Sequence, residues 1–185
     1  GFAIRKSDSA PELAAEKLAR GKIIGWYQGG MEVGPRALGN RSILAHPGIA
    51  TMKDEVNKRV KFRENWRPFA PSVLAEDCGT YFDNDHASPY MLFVYNTRQE
   101  MLDRIPAISH VDGTARVQTV ARDVNPRYHQ LIRAFKRHTG IGLVLNTSMN
   151  TMGEPIVRTP DEAVACFLTG GMDFMFIGDY VLSKK

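Results

Sequence analysis

The sequence predicts an α/β or α+β domain built on a mixed β-sheet flanked by helices, and three observations carry that prediction. Apolar segments of strand length intermix with helical patterns, but without the strand–helix–strand rhythm of an all-parallel sheet. Two of the helical patterns open on an Asn-Pro or Thr-Pro pair, which marks a cap followed by the first helical residue. The 185 residues, 43% apolar, suit one globular unit, which at this size buries roughly 70% of its unfolded surface without a disulfide staple. Residues 1–185 are therefore read as a single domain.

In chain order, Ser9, Pro11 and Glu12 open a helical pattern that runs through Leu13 and Leu18 and stops at Gly21. Ser9 and Glu12 are spaced as a capping box. Residues 22–28 (KIIGWYQ) read as a strand, and the glycine-punctuated GGMEVGPRALGN as a loop leading to a short strand at 42–46. Helical periodicity covers 51–60, and a strand lies near 72–75. Residues 90–96 (YMLFVYN) have the composition of a buried strand, and 115–120 (ARVQTV) of another. The stretch between them, 97–113, is polar; its first part, 97–108, is a candidate lid. Asn125 and Pro126 start a helix that ends at Gly140. Residues 142–148 (GLVLNTS) form a strand running into a turn. Thr159, Pro160 and Glu162 make a second capping box, with helix to Leu168, and a strand over 174–182 closes the chain.

Absences narrow the function. No apolar run has membrane-spanning length, and the start lacks a signal-peptide pattern. Cys78 and Cys166 are too few and too far apart for a disulfide framework or a zinc knuckle, so two reduced, buried thiols in a cytoplasmic protein are expected. There is no GxxxxGK[ST], no GxGxxG after a strand, no HExxH and no GxSxG. His110 and Asp112, in HVDGTAR, read as a turn-fixing pair, and no metal site is expected.

Charge points to one place. Between Arg36 and Arg67 there are eight Lys and Arg against three Asp and Glu; the rest of the chain has sixteen against seventeen. A surplus confined to one segment implies a local anionic ligand more than a general affinity for polyanions.

Three stretches could hold that ligand. In GPRALGNRSI, Gly34 and Gly39 permit positive φ, Pro35 stiffens the turn, and Arg36 and Arg41 offer planar forks that match phosphate. In VKFRENWRPFAPSV, Lys61 and Arg63 point the same way if the chain is extended. Arg67 is biased away from helix by Pro68, and Phe62, Trp66 and Phe69 would bury the backbone. In LNTSMN, Asn146, Thr147, Ser148 and Asn150 present neutral donors and acceptors at the end of a strand, where ligands of α/β proteins collect. Each stretch also has a bland reading: a salt-bridged loop, a solvated charged face, an Asx or Ser/Thr turn.

Taken in order, MEVGPRALGNRSILAHP, VKFRENWRPFAPSVLAED, SPYMLFV, IPAISHVDGTARVQTV, LVLNTSMNTMGEPIVRTPDEAVACFLTG and IGDYVL resemble the C-terminal domain of the O-carbamoyltransferase family. That family includes nodulation-factor, aminoglycoside and cephalosporin carbamoyltransferases. The resemblance spans nearly the whole chain. It implies a YrdC-like fold, a twisted mixed sheet whose K-x-R and S-x-N signature falls on Lys61 with Arg63 and on Ser148 with Asn150.

It also implies a chemistry: carbamoyl phosphate and ATP as substrates, Mg²⁺ arriving with ATP, no tightly bound cofactor, and carbamoyladenylate and pyrophosphate as products. Catalytic roles then fall on Lys61, Arg67, Arg116 and Ser148. Substrate and nucleotide contacts fall on these and on Arg36, Arg41, Arg63, Asn146 and Asn150. An actin-like N-terminal domain, in the same or another chain, would move the carbamoyl group to an acceptor hydroxyl. That domain and its histidine-rich metal site do not match any part of this sequence, and a domain cut from a longer protein is the expected case. The competing readings are an RNA-binding module, against which the single basic segment argues, and a catalytically silent nucleotide-binding domain.

Overall fold

The computed structural model describes residues 1–184. Strand β1 (Phe2–Lys6) leads to helix α1 (Ala10–Ala19) and strands β2 (Ile24–Tyr27) and β3 (Arg41–Ala45). Helix α2 (Met52–Val56) continues into one π-helical turn (Asn57–Lys61) before β4 (Ala70–Leu74). A 3-10 turn (Ala75–Asp77) and the short helix α3 (Cys78–Tyr81) precede strands β5 (Val94–Asn96), β6 (Thr114–Arg116) and β7 (Gln118–Val120). Helix α4 (Pro126–Thr139), strand β8 (Leu143–Ser148), helix α5 (Pro160–Thr169) and strands β9 (Phe174–Ile177) and β10 (Tyr180–Lys184) complete the chain.

Eight strands form one sheet in the order β1-β10-β9-β2-β3-β8-β4-β7, while β5 and β6 make a separate two-stranded ribbon. The β2–β9 and β4–β7 pairs are parallel and the remaining neighbours antiparallel, so the sheet is mixed, as the sequence predicts. Helices flank it: α1 packs along α4, α4 lies on β4 and β8, and α5 lies on β9 and β2. The apolar stripe of α1 (Ala14, Ala15, Leu18) and that of α4 (Leu131, Ile132, Phe135) are fully buried. The caps on α4 and α5 behave as read: Asn125 Oδ1 accepts from Tyr128 N at 3.1 Å, and Thr159 with Glu162 closes a capping box. Each such cap stabilises its helix by about 1 kcal/mol.

Strand direction gathers the functional stretches at one end of the sheet. Because β3 and β4 both run antiparallel to β8, the last residues of β8 lie beside the first residues of β3 and β4: Ser42 pairs with Ser148, and Ala70 with Asn146. Strand β7 is parallel to β4, so its beginning, just after Arg116, reaches the same end.

Several expectations need correction. Ser9 makes no side-chain cap, and Glu12 reaches across to Arg137 of α4 at 2.5 Å. The buried strand expected at 90–96 is only β5, and Tyr90, Leu92, Phe93 and Val94 are all more than half exposed. A continuous apolar run looks the same whether it faces a core or an open surface. Residues 115–120 split at Val117 between the ribbon and the main sheet. The closing strand is a hairpin turning at Gly178 and Asp179, with Gly178 at φ 55°. The candidate lid is fastened down: Ile105, Ala107 and Ile108 are buried, and Ala107 N donates to Pro47 O at 3.0 Å. Cys78 and Cys166 are free and buried, and among the described residues no helix is long and apolar enough to cross a membrane.

Candidate active site

Lys61 ends the π-helical turn, and the next residue, Phe62, turns the chain into the left-handed region at φ 48°. The stretch is therefore not extended, and Lys61 and Arg63 reach the cleft from a bend. The aromatic residues do not bury this backbone either: Phe69 is buried, whereas Phe62 and Trp66 are exposed.

The bend delivers Lys61 onto the turn after β8. Its Nζ donates to Ser148 O at 2.7 Å, Asn150 Oδ1 at 2.6 Å, Asn150 O at 3.2 Å and Ser148 Oγ at 3.3 Å. Ser148 Oγ in turn donates to Asn150 Oδ1 at 2.8 Å. Lys61 of the first signature pair and both residues of the second, 87 or more residues away in sequence, thus form one hydrogen-bonded unit, and Arg63 stands outside it. Arg63 is held by Asn57 Oδ1 at 2.7 Å and Pro68 O at 3.3 Å, with its guanidinium over the Phe69 ring. Asn57 is fully buried and also donates to Arg67 O, so it fixes both arginines from below.

Arg36 comes from the loop between β2 and β3, and Glu32 organises that loop. One carboxylate oxygen of Glu32 accepts from the backbone N–H groups of Leu38 (2.7 Å), Asn40 (2.8 Å) and Arg41 (3.3 Å). Gln118 and Asn146 tether the same loop through Leu38 O and Ala37 O. Sequence reading missed Glu32 and Asn57. The one available signal for Glu32 was an acidic residue inside the glycine-punctuated loop, a weak one.

These segments enclose a cleft of about 450 Å³ lined by Lys61, Phe62, Arg63, Arg67, Ser148 and Asn150. It adjoins a narrow chamber of about 110 Å³, lined among others by Arg36, Arg63, Arg116, Asn146 and Ser148. A third opening of about 410 Å³ shares Arg36, Arg63, Arg67 and Arg116 and extends to His110. Phe62 and Met91, the two non-glycine residues with positive φ among those described, line the cleft and the chamber respectively. Backbone conformations of this kind cost about 1–3 kcal/mol each and gather at functional sites.

Of the expected site residues, Arg36, Lys61, Arg63, Arg67, Arg116, Asn146, Ser148 and Asn150 converge here. Arg41 does not: it is buried, stacked 3.6 Å from the ring centroid of its cross-strand neighbour Tyr27, and it donates to the carbonyls of Gln28, Gly29 and Asn40. His110 and Asp112 are joined through Thr114, as a turn-fixing pair would be.

The electrostatics are those of a site short of negative charge. Among the described residues Arg67 pairs with Glu64 at 2.9 Å, while Arg36, Lys61, Arg63 and Arg116 make no ion pair. Burial, and then the neighbouring Arg36, holds Arg116 below the ordinary arginine range. Burial, and then Arg63, lowers Lys61 from 10.5 to about 7. The unfolded chain thus binds this proton more tightly than the folded one, so between about pH 7 and 10.5 the Lys61 contribution to stability rises with pH. A bound anion reverses the effect by favouring the ammonium form. Binding of sulfate, which does not titrate near pH 8, is therefore expected to take up a fraction of a proton there. Calorimetry in two buffers of different ionisation enthalpy measures the uptake, and buffer-independent heats would exclude it.

Comparison with known proteins follows this geometry. Residues 15–184 match the family described as carbamoyltransferase C-terminus. The chain is 48% identical over 185 residues to nodulation protein NolNO of Sinorhizobium fredii, covering 98% of this chain and 27% of that protein. It is 42% identical over 162 residues to the 3'-hydroxymethylcephem-O-carbamoyltransferase of Amycolatopsis lactamdurans, covering 88% of this chain and 31% of that protein. A crystal structure of full-length HypF in its phosphate- and nucleotide-bound form superposes with a TM-score of 0.60 at 17% identity, over 96% of this chain and 22% of that one. The likeness to HypF establishes the shared fold, and the chain spans about a third of the length of the curated relatives it matches.

Proposed function

The chain belongs to the carbamoyltransferase C-terminus family, and on that premise we propose that it binds carbamoyl phosphate and ATP and forms carbamoyladenylate. Water cleaves carbamoyl phosphate to carbamate and inorganic phosphate. A carbamate oxygen then attacks the α-phosphorus of ATP, the bond to the β-phosphate oxygen breaks, and pyrophosphate leaves with the Mg²⁺ that came with ATP. The observation that carries this reading is the cluster of Arg36, Lys61, Arg63 and Arg116 around cavities that share lining residues, with no carboxylate paired to these four among the described residues. Cations held in place before the anion arrives need little reorganisation as charge develops on phosphate oxygens, which is how phosphoryl and nucleotidyl transfers are accelerated. Ser148 and Asn150, locked to Lys61, supply neutral groups for the carbamoyl or nucleotide end.

The remaining two thirds of the relatives' length leaves room for a partner domain that passes the carbamoyl group to an acceptor hydroxyl. Two free, buried thiols fit work in the reducing cytoplasm. The test is pyrophosphate and phosphate release by the chain with Mg-ATP, with and without carbamoyl phosphate. Pyrophosphate is expected only when both substrates are present. Saturable ATP binding with no pyrophosphate under any condition would overturn the adenylating reading and leave a nucleotide-binding domain.

A further inference from the structure

His110 has a ring nitrogen that the turn around it does not use. Backbone bonds close that turn: His110 N donates to Thr114 O at 2.7 Å, and Gly113 N to His110 O at 3.0 Å. The side chains then fix the tautomer. Thr114 Oγ1 donates its one hydrogen to Asp112 Oδ1 at 2.7 Å, because an ionised carboxylate only accepts, and that bond holds the Asp112 carboxyl below its ordinary range. Towards His110 Nδ1, 3.1 Å away, Thr114 Oγ1 is left to accept, so Nδ1 carries the ring hydrogen. Nε2 keeps a bare lone pair. It has no hydrogen-bond partner among the described residues and is not closed off from solvent.

The ring stands between two openings. One is the opening shared by Arg36, Arg63, Arg67 and Arg116; the other is a cavity of about 390 Å³ lined by Lys53, Trp66, Ser109 and Asp112, among others, which gives water a way to the ring. The charged groups around His110 are thus Asp112 in its own turn, Arg116 on β6, Lys53 on α2, and Arg36, Arg63 and Arg67. Burial, opposed by Asp112 and reinforced by Arg116, holds the imidazole below its ordinary 6.5, so the ring is neutral at neutral pH. The other proton acceptors that line the cleft and the arginine opening are occupied: Glu64 pairs with Arg67 at 2.9 Å, and Lys61 Nζ is enclosed by four oxygens.

We propose that His110 is a catalytic residue, the general base for cleavage of carbamoyl phosphate: its Nε2 takes a proton from the water whose oxygen bonds to the carbonyl carbon. The C–O bond to phosphate breaks, and the departing phosphate oxygen keeps the electron pair and receives that proton back from the imidazolium. The carbamic acid formed loses its own proton to solvent. Thr114 and Asp112 are positioning residues, which hold the ring in the tautomer that accepts at Nε2. The assignment rests on the reading of the chain as a carbamoyl phosphate-binding domain and adds to it a proton acceptor.

The test is phosphate release from carbamoyl phosphate by the 185-residue chain with Mg-ATP, corrected for spontaneous decay, as a function of pH. The wild-type rate is expected to fall as pH drops below about 6.5, where the imidazole becomes protonated. His110→Asn keeps a donor towards Thr114, and so keeps the turn, but has no base. It is expected to lose about 10²–10⁴-fold in rate together with the acidic limb, while calorimetry shows sulfate binding at the wild-type affinity. Imidazole in solution is expected to restore part of the rate to His110→Ala, which a purely structural histidine would not allow. An Asn variant with wild-type rate and an intact acidic limb would overturn the general base and leave the proposed function standing. If the variants do not fold, the wild-type profile decides, and a rate independent of pH through that limb overturns the base. A wild-type chain that releases no phosphate beyond spontaneous decay would overturn both this assignment and the proposed function.

Discussion

Lys61→Ala is expected to cut carbamoyl phosphate-dependent pyrophosphate release by about 10²–10³-fold, the usual loss when one preorganised donor to a developing oxyanion is removed. Lys61 sits at the junction of the two signature pairs, touching both Ser148 and Asn150. Its removal therefore withdraws a cation and also loosens the turn that follows β8. Arginine is not expected to substitute: its planar fork cannot occupy the point contacted by a single ammonium group with four oxygen neighbours.

The fold should survive the change, because the charge of Lys61 is disfavoured by burial. Burial lowers the pKa of Lys61 to about 7, which means that the charged form is disfavoured where it stands. Burial of the charge offsets part of what the hydrogen bonds of Lys61 to Ser148 and Asn150 contribute, so its loss is expected to cost function more than stability. The thermal midpoint of Lys61→Ala is expected within a few degrees of wild type while turnover collapses. Ser148→Ala should show the same pattern with a smaller loss. If both variants keep wild-type turnover, the unit formed by Lys61, Ser148 and Asn150 is not catalytic.

The legible part of this molecule was what local chemistry dictates. Asn125-Pro126 and Thr159-Pro160 mark their helices because a cap satisfies orphan N–H groups wherever it occurs. The arginine-rich bend stood out because the eight cations of residues 36–67 face only three carboxylates. Long-range pairing was not legible. Strand β1 was missed: five residues at one end of the chain become a strand only because β10 lies alongside. The hairpin between β9 and β10 was signalled by Gly178-Asp179 and was overlooked in a run of apolar residues.

Arg41 shows the limit at the site itself. By residue type and spacing it matches Arg36, yet antiparallel pairing sets it opposite Tyr27, and three carbonyls take its donors. Glu32 is the converse: beyond its place in a glycine-punctuated loop, nothing in its neighbourhood of sequence announces a carboxylate that binds three backbone N–H groups of that loop. Partners of this kind are fixed by tertiary geometry, and a single sequence carries only the residue types.

Gly39→Ala is expected to destabilise the chain by about 2–5 kcal/mol, the sum of a backbone and a packing cost. Gly39 has φ 104°, which L side chains rarely adopt, and a Cβ built there would stand 2.2 Å from Tyr128 Cδ1. Tyr128 cannot retreat: it is fully buried on the first turn of α4, and Asn125 caps its backbone N–H. The loop would have to lift instead, carrying Arg36 with it and breaking the contacts of Glu32 and Ser42 with Leu38 and Gly39. Gly34→Ala separates the two costs. Gly34 has φ 118° in the same loop, but nothing lies within 4 Å of its would-be Cβ, so it is expected to lose only the backbone share, about 1–2 kcal/mol. Urea denaturation of both variants measures the difference, which is the contribution of packing against Tyr128. Equal losses would mean that the loop yields without strain and that α4 does not set the position of Arg36.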